Sequence, residues 1–461
     1  MEPKILLINA PAENMVEKHY AHPPNPRIGL GYLASFLKFN KIECDVIDAK
    51  YERFDFKHIL KRLKKQNYDI VGFTSMTNEI ITTAKLASLI KNEKPRIINI
   101  IGGPHASALP VGTLKEFDSF DLACFGEGEK VLYETVCALR MRNSLEGLKG
   151  LAYREGNVIK QNKPMPFIED LDELPPPAWE LFSPARAYPI LASRGCIGRC
   201  NFCMRALGDQ IRFRTPELVV EEMKDTYDRY KPGIFVFCDE TFGIDKDSTS
   251  RLLKGIINNG LNKKVKWYAA TRVDIVNKEL LKEMKQAGCD RIDFGIESGN
   301  ENILKETNKN ITKEKAQKAV FMAKKENLAT GSYFILGHPG ETKKTLEETI
   351  SFALKLNTTA VSFGMMVPYP GTEIARIVEK GAFGYKLLAK NWDAYNKQTS
   401  AALELEGVDR NMLQKYQLMG YLKFYLFKPN ISKIKHLFSN YSLKTLLFML
   451  LSRIFKIGRA N

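Results

Sequence analysis

Three of the eight cysteines in this chain lie in the segment Ser193-Arg194-Gly195-Cys196-Ile197-Gly198-Arg199-Cys200-Asn201-Phe202-Cys203. The C-x3-C-x2-C spacing supplies three thiolates from one loop and no fourth cysteine nearby. Iron–sulfur clusters that only transfer electrons usually have four cysteine ligands. A cube held by three cysteines keeps one iron open, and an open coordination position distinguishes catalytic from structural metal sites. The spacing therefore favours a catalytic cluster.

Two alternatives compete with a cluster. A structural zinc site would need a fourth ligand, and zinc motifs usually come as two separated cysteine pairs, whereas this chain has no second C-x2-C. Cys238 and Cys289 each stand alone in an apolar segment, which is typical of a buried cysteine. A disulfide framework is disfavoured because eight cysteines among 461 residues are sparse and irregularly spaced.

The segment closely resembles the cysteine motif of the radical S-adenosylmethionine (radical SAM) superfamily, including the aromatic Phe202 before the third cysteine. The resemblance implies that Cys196, Cys200 and Cys203 hold a [4Fe–4S] cluster. It also implies that the open iron chelates S-adenosylmethionine, and that an electron from the cluster releases a 5′-deoxyadenosyl radical. An electron donor such as flavodoxin or ferredoxin is the implied partner.

Apolar β-type runs alternate with helical patterns on both sides of this motif, which predicts an α/β fold. From residue 186 to 395 six strand–helix units fit a partial (β/α)6 relative of the TIM barrel, whose sites gather at the carboxyl ends of the strands. The cysteine loop directly follows the first of these strands. The predicted strands are Tyr188–Ala192, Ile234–Cys238, Lys266–Ala270, Arg291–Ile296, Ser332–Leu336 and Ala360–Met366.

Polar and glycine-rich motifs follow the later barrel strands. S-adenosylmethionine carries an ammonium, a carboxylate and a ribose diol, so its site needs carboxylates, a cation and close backbone approach. The resemblance implies that Asp239, Glu240 and Thr241 lie near the methionyl amino group. It implies that Arg272 and Glu297 lie toward the carboxylate and ribose. It places Gly337, Pro339 and Gly340 toward adenine and substrate. His338 is either a proton donor or a turn histidine satisfied by backbone.

Residues 1–140 predict a doubly wound, Rossmann-like parallel sheet that precedes the barrel. Its strands are expected at Lys4–Asn9, Cys44–Ile47, Asp69–Thr74, Ile97–Ile101 and Leu122–Phe125. Residues 141–185 are interpreted as a linker with a small hairpin that turns at Glu155-Gly156-Asn157, and residues 396–461 as a basic helical C-terminal region.

Ligands of such a sheet bind at the carboxyl ends of its strands. No G-x-G-x-x-G follows the first strand and no P-loop motif exists, so nicotinamide and nucleoside triphosphate sites lack support. The order of the motifs, followed by a three-cysteine barrel, resembles the cobalamin (B12)-binding radical SAM family. The resemblance implies that cobalamin contacts Thr74, Ser75, Gly102, Gly103, Pro104, His105, Gly126, Glu127, Gly128 and Glu129. The alternative is a degenerate Rossmann-like domain that binds no corrinoid.

One departure concerns the cobalt ligand. Many cobalamin proteins carry D-x-H-x-x-G after the first strand, whereas this chain has Asn9-Ala10-Pro11-Ala12-Glu13-Asn14. The usual lower histidine ligand is therefore missing. A cobalt without that ligand should give up a methyl radical more readily, which suits radical methylation.

The net charge of +16 is concentrated in the C-terminal region, where residues 410–461 contain ten Lys or Arg and no Asp or Glu. These cations alternate with apolar residues and accompany no nucleic-acid-binding motif, so no nucleic-acid partner is expected. No apolar run is long enough to span a membrane, and a cytoplasmic location follows. Tyr421–Phe438 and Leu443–Ile457 fit either an interfacial helix on the inner face of the membrane or a helical cap on the barrel.

The favoured function is a cobalamin-dependent radical SAM methyltransferase, with S-adenosylmethionine, cobalamin and the [4Fe–4S] cluster as cofactors. Its substrate is expected to be a hydrophobic or lipid-like small molecule methylated at an unactivated carbon. An anaerobic oxidative cyclase of the magnesium-protoporphyrin monomethyl ester type is the alternative within the family. A non-catalytic cobalamin-binding module is the alternative from another class.

Overall fold

Two main sheets organise the residues that the computed structural model describes, which are 4–12, 25–398, 402–426 and Lys433. Within these ranges, the first unit of the chain comprises residues up to 185 together with 205–208, and the second comprises 186–204 and the residues from 209 onward. The predicted order of a Rossmann-like sheet followed by a six-stranded parallel sheet is confirmed.

The first sheet has seven strands in the order β2-β1-β3-β4-β5-β6-β7. Strands β1 to β5 pair in parallel, and Ile5 to Ile8 of β1 are almost completely buried. A continuous apolar run is expected for a parallel strand covered on both faces. The strands are β1 Ile5–Asn9, β2 Cys44–Asp48, β3 Ile70–Thr74, β4 Ile98–Gly102, β5 Leu122–Cys124, β6 Leu151–Glu155 and β7 Val158–Gln161.

The helices of the first unit connect these strands. They are α1 Ile28–Phe39, α2 Ala49–Glu52, α3 Phe56–Lys65, α4 Ile80–Glu93, α5 Pro104–Ala108, α6 Pro110–Glu116 and α7 Gly128–Met141. The Asp48 carboxylate orders the end of β2, because it accepts hydrogen bonds from the Asn9 side chain at 2.7 Å and from the Arg27 backbone N–H at 2.8 Å. These bonds fix the start of α1 against the carboxyl edge of the sheet.

The predicted hairpin is present at the expected residues, but it is part of the first sheet and not of a separate linker. It forms β6 and β7, and β6 pairs antiparallel with β5, so the hairpin extends the first sheet. Residues 141–185 thus belong to the first unit. Strand–helix alternation predicts parallel pairing and gives no signal for an antiparallel addition at the edge of the sheet.

The second sheet contains six parallel strands in the order β15-β14-β13-β12-β11-β8. Each strand lies beside the next one along the chain, apart from the short pair β9 and β10. The strands are β8 Ala187–Ile190, β9 Ser193–Arg194, β10 Arg212–Phe213, β11 Ile234–Phe237, β12 Lys266–Thr271, β13 Cys289–Glu297, β14 Ala329–Leu336 and β15 Ala360–Met365. This is the predicted (β/α)6 arrangement.

The helices of the second unit mostly follow its strands. They are α8 Pro216–Tyr230, α9 Lys246–Asn258, α10 Leu261–Lys264, α11 Lys278–Gln286, α12 Glu301–Glu306, α13 Lys313–Lys325, α14 Lys343–Leu356, α15 Glu373–Glu379 and α16 Arg410–Leu426. Two further short strands, β16 Lys386–Leu387 and β17 Leu403–Glu404, pair antiparallel with each other.

The two faces of this sheet carry different side chains. One face is bulky and fully buried, with Trp267, Phe294, Phe334 and Phe363 at no more than 1% exposure. The opposite face, here called the inner face, carries small residues among polar ones. Register places on it Tyr268 and Ala270 of β12, Arg291, Asp293 and Gly295 of β13, Ala329, Gly331, Tyr333 and Ile335 of β14, and Ala360, Ser362 and Gly364 of β15.

Helix α16 covers the open edge of this sheet. The Gln417 side chain donates to the Phe363 carbonyl oxygen at 2.6 Å, and the Phe363 backbone N–H donates to the Tyr421 hydroxyl at 3.1 Å. Both hydrogen-bonding groups of an edge residue of β15 are thereby satisfied by side chains. The described part of the basic region therefore packs as a cap on the barrel.

The remaining prediction for the basic region concerns the membrane. Leu443–Ile457 and most of the segment after residue 426 lie outside the described residues. Among the residues that are described, no helix is both long and apolar enough to cross a membrane.

Candidate active site

The cysteine loop begins at the carboxyl end of β8, as predicted. The short strands β9 and β10 pair antiparallel, Arg194 with Arg212 and Ser193 with Phe213, and close the loop at its base. Gly195 opens the loop with φ of 97°, a conformation that favours glycine. The base is therefore fixed by backbone pairing, and the three cysteines lie between its two strands.

The three thiols have separate surroundings. The Cys196 Sγ lies 3.6 Å from the Thr241 hydroxyl, and the Cys200 Sγ lies 3.9 Å from the Asn308 carbonyl oxygen. Cys203 is exposed. None of the three forms a disulfide. Burial raises the pKa of Cys200, and the cations Lys309 and Arg272 act in the opposite direction.

The donor set of the loop fits the ligands of a cube. Within the described residues, no group of three or more His, Cys, Asp or Glu side chains is arranged around one metal ion. The three ligands of a cube bind three different irons, so their sulfurs need not meet at one point. Three soft thiol donors on one loop, without a fourth, fit a [4Fe–4S] cluster with one open iron.

Asp239 was predicted to lie near the methionyl amino group, and in the structure both of its carboxylate oxygens accept hydrogen bonds from the start of the cysteine loop and the residue before it. Its Oδ1 accepts from the Ser193 hydroxyl at 2.6 Å, and its Oδ2 accepts from the Ala192 backbone N–H at 3.2 Å. Burial raises the pKa of Asp239 to about 6. Both oxygens thus tie the end of β11 to the start of the cysteine loop, which sequence could not reveal because the partners are 46 and 47 residues away.

Glu240 and Thr241 do lie beside the cysteine loop. Glu240 is solvent-exposed, and its Oε2 accepts from the Gly195 backbone N–H at 3.2 Å. Thr241 is buried, and its hydroxyl contacts Cys196. Of the three residues predicted after β11, Glu240 alone presents its side chain to solvent at the mouth of the barrel.

Arg272 is brought to the cysteine loop in a fixed orientation. Its Nε and Nη2 donate to the two carboxylate oxygens of Asp274 at 2.9 and 2.8 Å, which is the bidentate geometry that suits a guanidinium. Nη2 also donates to the Lys309 carbonyl oxygen at 3.1 Å. A methyl group added at Gly198 would lie 3.8 Å from Nη1. The cation is therefore held beside the cysteine loop.

Glu297 lies at an irregularity in β13. The register to β14 shifts between Gly295 and Glu297, and Glu297 has φ of 73°. A bulge at the end of a strand redirects a side chain and is often found near active sites. Here it lays the carboxylate over Gly295, where an added methyl group would lie 2.7 Å from Oε1. Glycine is required for this approach.

Lys309 is a site residue that the sequence analysis missed. Its Nζ donates to Glu297 Oε1 at 3.0 Å, and the two side chains are only 8% and 10% exposed. Its flanking residues Asn308 and Asn310 both have φ of 54°. Asparagine tolerates this conformation better than most residues, so the Asn-Lys-Asn sequence was the available signal.

The Gly337–Glu341 turn follows β14. The Glu341 Oε2 accepts from the backbone N–H groups of Gly337 and His338 at 2.9 and 3.2 Å, and the Tyr385 hydroxyl donates to the Gly337 carbonyl oxygen at 2.7 Å. Pro339 is buried and Gly340 is exposed with open space beside it. The turn is therefore rigid at its start and accessible at its tip.

His338 lies inside this turn and packs on Phe202 of the cysteine motif, with ring centroids 5.7 Å apart. Neither ring nitrogen makes a hydrogen bond of good geometry with the described residues. Burial lowers the pKa of His338 to about 4, although Glu297, including its backbone carbonyl, acts to raise it. His338 is therefore a neutral histidine at neutral pH, and the turn backbone does not satisfy its ring.

The buried Glu341 leads to a pH prediction. Burial raises its pKa to about 7 from an ordinary value of 4.5. Between these values the folded chain holds the proton that the unfolded chain has lost, so rising pH lowers the free energy of unfolding, by about 2 kcal/mol for this group. Glu341→Gln keeps an acceptor for the turn and should lack this decline. Urea denaturation at pH 5, 6 and 7 measures the difference, and parallel curves for both proteins would contradict the prediction.

The carboxyl edge of the first sheet brings together part of the predicted cobalamin site. Thr74, Gly102, Gly103, Pro104 and Gly128 are partly exposed, and Gly126 is exposed. The Ser75 backbone N–H donates to the Gly102 carbonyl oxygen, and the His105 N–H donates to the Ser75 carbonyl oxygen. These bonds join the ends of β3 and β4 into one surface.

Four predicted residues do not reach this surface. Ser75, His105, Glu127 and Glu129 are buried. Burial lowers the pKa of His105 to about 4. The Glu127 Oε2 accepts from the Ile168 N–H at 2.7 Å and thus holds the segment after β7. These side chains support the edge from inside the unit, and the accessible positions are backbone and small residues.

Gly103 and Gly126 offer a matched pair for mutation, because their φ values are 88° and 86°. A methyl group at Gly103 would lie 2.7 Å from the Thr74 hydroxyl and 2.8 Å from the Ser75 nitrogen, whereas none of the described atoms lies within 4 Å of one at Gly126. Gly103→Ala should lower the free energy of unfolding by about 2 kcal/mol and Gly126→Ala by about 1 kcal/mol. Urea denaturation measures the free energy of unfolding of both variants. Equal losses would show that the close contacts at Gly103 add nothing to the backbone strain that both positions share.

This edge fits a large flat ligand such as cobalamin. Gly103 lets the end of β4 pack closely on Thr74 and Ser75, and the space beside Gly126 is open. The edge lies at the carboxyl ends of parallel strands, where such sheets bind their ligands. The region at the carboxyl ends of the strands of the second sheet fits S-adenosylmethionine. Carboxylates, a guanidinium and an ammonium lie there beside the three thiols.

Comparison with known proteins agrees with this geometry. The Radical SAM superfamily model matches residues 190–353, and the B12 binding domain model matches residues 20–136. An uncharacterised methyltransferase of Pyrococcus horikoshii is 33% identical over 95% of each chain. The anaerobic magnesium-protoporphyrin IX monomethyl ester cyclase of Cereibacter sphaeroides is 30% identical over 76% of this chain and 60% of its own.

A solved structure shares the fold. The radical S-adenosylmethionine methyltransferase TsrM of Kitasatospora setae, with cobalamin and a [4Fe-4S] cluster bound, has a TM-score of 0.71 at 19% identity and covers 86% of this chain and 85% of its own. With both family models matched, the cofactors of this radical SAM enzyme are a [4Fe–4S] cluster, S-adenosylmethionine and cobalamin. Because the B12 binding domain and Radical SAM superfamily models match in this order, and the Pyrococcus relative aligns over nearly the full length of both chains, the chain belongs to the cobalamin-binding radical SAM family.

Proposed function

We propose that this enzyme transfers a methyl group from S-adenosylmethionine, by way of cobalamin, to an unactivated carbon of a hydrophobic or lipid-like small molecule. The observation that carries the proposal is the three-thiol loop in a chain that also has a B12-binding domain. The buried Lys309–Glu297 pair and Arg272 lie near this loop, and both cations act on Cys200. When bound, these cofactors supply an organic radical and a transferable methyl group, which protein side chains alone cannot supply.

The residues of the chain position those groups. Cys196, Cys200 and Cys203 are proposed to hold the cluster. Arg272 is proposed to bind a carboxylate, since its guanidinium is already oriented by Asp274. Glu240 is proposed to accept from an ammonium, because it is the exposed carboxylate beside the loop.

Two further residues are proposed to complete the pocket for S-adenosylmethionine. Glu297, fixed by Lys309, is proposed to accept from ribose hydroxyls. Gly340 is proposed to let backbone approach the adenine, since the space beside it is open.

Cobalamin is proposed to lie on the carboxyl edge of the first sheet, against Thr74, Gly102, Gly103, Pro104, Gly126 and Gly128. Ser75, His105, Glu127 and Glu129 support that edge from inside. The proposed domains are residues 1–140, 141–185, 186–395 and 396–461, and the hairpin of the second pairs with the first sheet.

The oxidative cyclase remains the second candidate, because a cyclase is among the relatives at 30% identity. Methyl transfer is preferred because the relative that matches 95% of both chains is named a methyltransferase. The test uses anaerobically reconstituted enzyme, methyl-deuterated S-adenosylmethionine and an extract of a deletion strain. A product that carries the deuterated methyl group supports methylation. Oxygen incorporated from labelled water, with no methyl label, would contradict it and support a cyclase.

Two partners complete the proposal. A flavodoxin or ferredoxin would supply the electron, because cleavage of S-adenosylmethionine is reductive. The basic region would bring the enzyme to the inner face of an anionic membrane, since residues 410–461 contain ten cations and no acidic residue. Sedimentation with vesicles containing phosphatidylglycerol, compared with neutral vesicles, tests the second point. Equal recovery with both vesicles would refute it.

A further inference from the structure

Four polar side chains form a cluster on the inner face of the second sheet, and none of them is assigned to a cofactor. They are Tyr268 of β12, Arg291 and Asp293 of β13, and Tyr333 of β14. Strand register places Tyr268 beside Arg291, and Tyr333 beside Gly295. The interiors of related barrels are filled mainly by bulky aliphatic side chains. An arginine in this position therefore requires an explanation.

The Arg291 guanidinium is held on two sides. Its Nη2 donates to Asp293 Oδ2 at 3.0 Å, and its Nε lies 3.0 Å from Oδ1. Its centre lies 4.5 Å from the centroid of the Tyr268 ring, as in a cation–π contact. The side chain therefore has one orientation.

Asp293 is itself fixed. The Tyr333 hydroxyl donates to its Oδ2 at 2.6 Å. A methyl group added at Gly331 would lie 2.1 Å from Oδ1, so only glycine on the neighbouring strand leaves room for the carboxylate. Tyr333 and Gly331 thus position Asp293, and Asp293 positions Arg291.

One end of the guanidinium remains available. Within the described residues, Nη1 of Arg291 makes no hydrogen bond, and the side chain is 22% exposed. Tyr333 is 38% exposed. The Lys397 side chain passes over Gly364 on the same face, 3.8 Å from where a methyl group would lie. Arg291 and Lys397 thus place two cations beside the single carboxylate of Asp293 in this part of the inner face.

Stability alone does not account for this arrangement. A buried ion pair is weak evidence for stability, because desolvation offsets much of the attraction, and well-packed apolar residues often serve as well. A guanidinium whose free edge faces accessible space is the common geometry for binding a carboxylate or phosphate.

We propose that Arg291, oriented by Asp293 and Tyr268, binds a carboxylate or phosphate group of the substrate inside the barrel. Arg291 precedes Glu297 by six residues on one strand, which is roughly 20 Å of extended chain. The substrate is thus an elongated molecule with an anionic end held by Arg291, and its reacting carbon lies toward the cysteine loop. This inference rests on the proposed function, since it names the substrate class of that site.

The experiment uses the full reconstituted chain and two probes, acetate and inorganic phosphate, at constant ionic strength. Isothermal titration calorimetry should show saturable binding of at least one probe to the wild type, weakened at least tenfold in Arg291→Gln. The probe that binds more tightly identifies the anionic group. Arg251→Gln is the matched control, because Arg251 is an exposed arginine of the same unit paired with Glu217, and it should bind the probes like the wild type.

Cleavage of S-adenosylmethionine is measured beside probe binding, and it should be unchanged in Arg291→Gln. Loss of that cleavage would place Arg291 in the cofactor site and overturn the inference, as would equal probe binding by wild type and variant. Wild-type protein that binds a probe through Arg291 but never cleaves S-adenosylmethionine would instead refute the proposed function alone. If Arg291→Gln does not fold, Arg291→Lys replaces it and should bind about three- to tenfold more weakly, because lysine lacks the planar fork.

Discussion

Cys200→Ala is expected to abolish reductive cleavage of S-adenosylmethionine and to remove most of the iron from the reconstituted protein. A cube bound by three cysteines has no spare protein ligand, so loss of one leaves two irons open. Cys200 is also the thiol that the two cations Lys309 and Arg272 influence electrostatically. Iron content, the absorbance of the cluster and 5′-deoxyadenosine formation measure the effect under anaerobic conditions.

Cys137→Ala serves as the matched control. Cys137 is a partly buried cysteine of α7 in the first unit, outside the cysteine loop. This variant should keep wild-type iron content and activity. If Cys200→Ala also keeps the cluster and cleaves S-adenosylmethionine, the three-thiol site is wrong and the proposed chemistry fails with it.

Lys309→Met is expected to lower the free energy of unfolding by about 3 kcal/mol and to slow S-adenosylmethionine cleavage at least tenfold. Lys309 and Glu297 are almost fully buried and lie 3.0 Å apart. Removing one member of a buried ion pair leaves an uncompensated charge, which costs about 3–5 kcal/mol. The freed carboxylate would also leave its position over Gly295. Urea denaturation and single-turnover cleavage measure the two effects.

Two further variants separate charge from position. Lys309→Arg keeps the charge and should lose less stability than Lys309→Met. The double variant Glu297→Gln with Lys309→Met removes both charges and should be more stable than Lys309→Met alone, although its cleavage activity should stay low. A double variant less stable than Lys309→Met would show that the pair is not the source of the loss.

The cysteine spacing and the strand–helix alternation predicted most of the fold. Each signal is local, because a strand of the second sheet pairs with its neighbour along the chain and the site residues follow those strands directly. The six predicted strands therefore correspond to observed strands whose ends differ by a few residues. Strand–helix alternation did not predict where the β6–β7 hairpin pairs, since antiparallel pairing at a sheet edge depends on which edge is open.

Side-chain roles were less predictable than positions. Asp239 and Glu127 carry the residue type expected for a ligand, yet each accepts hydrogen bonds from backbone or hydroxyl groups more than 40 residues away. The Asn-Lys-Asn sequence marked the backbone conformation around Lys309 but not its partner, Glu297, which the bulge in β13 turns toward it. Sequence spacing identified the neighbourhood of the site, and the side-chain contacts within it depend on residues that are distant along the chain.

The hydrogen bonds between two side chains of α16 and the backbone of Phe363 also bear on the self-association of the protein. A six-stranded sheet that does not close on itself has an outer strand able to recruit a strand from a second molecule and so begin aggregation. Gln417 and Tyr421 occupy the backbone groups of Phe363 on that strand, so a second chain cannot pair there in the usual register. A shortened protein that ends before residue 410 would keep every cofactor contact proposed here and yet be prone to self-association.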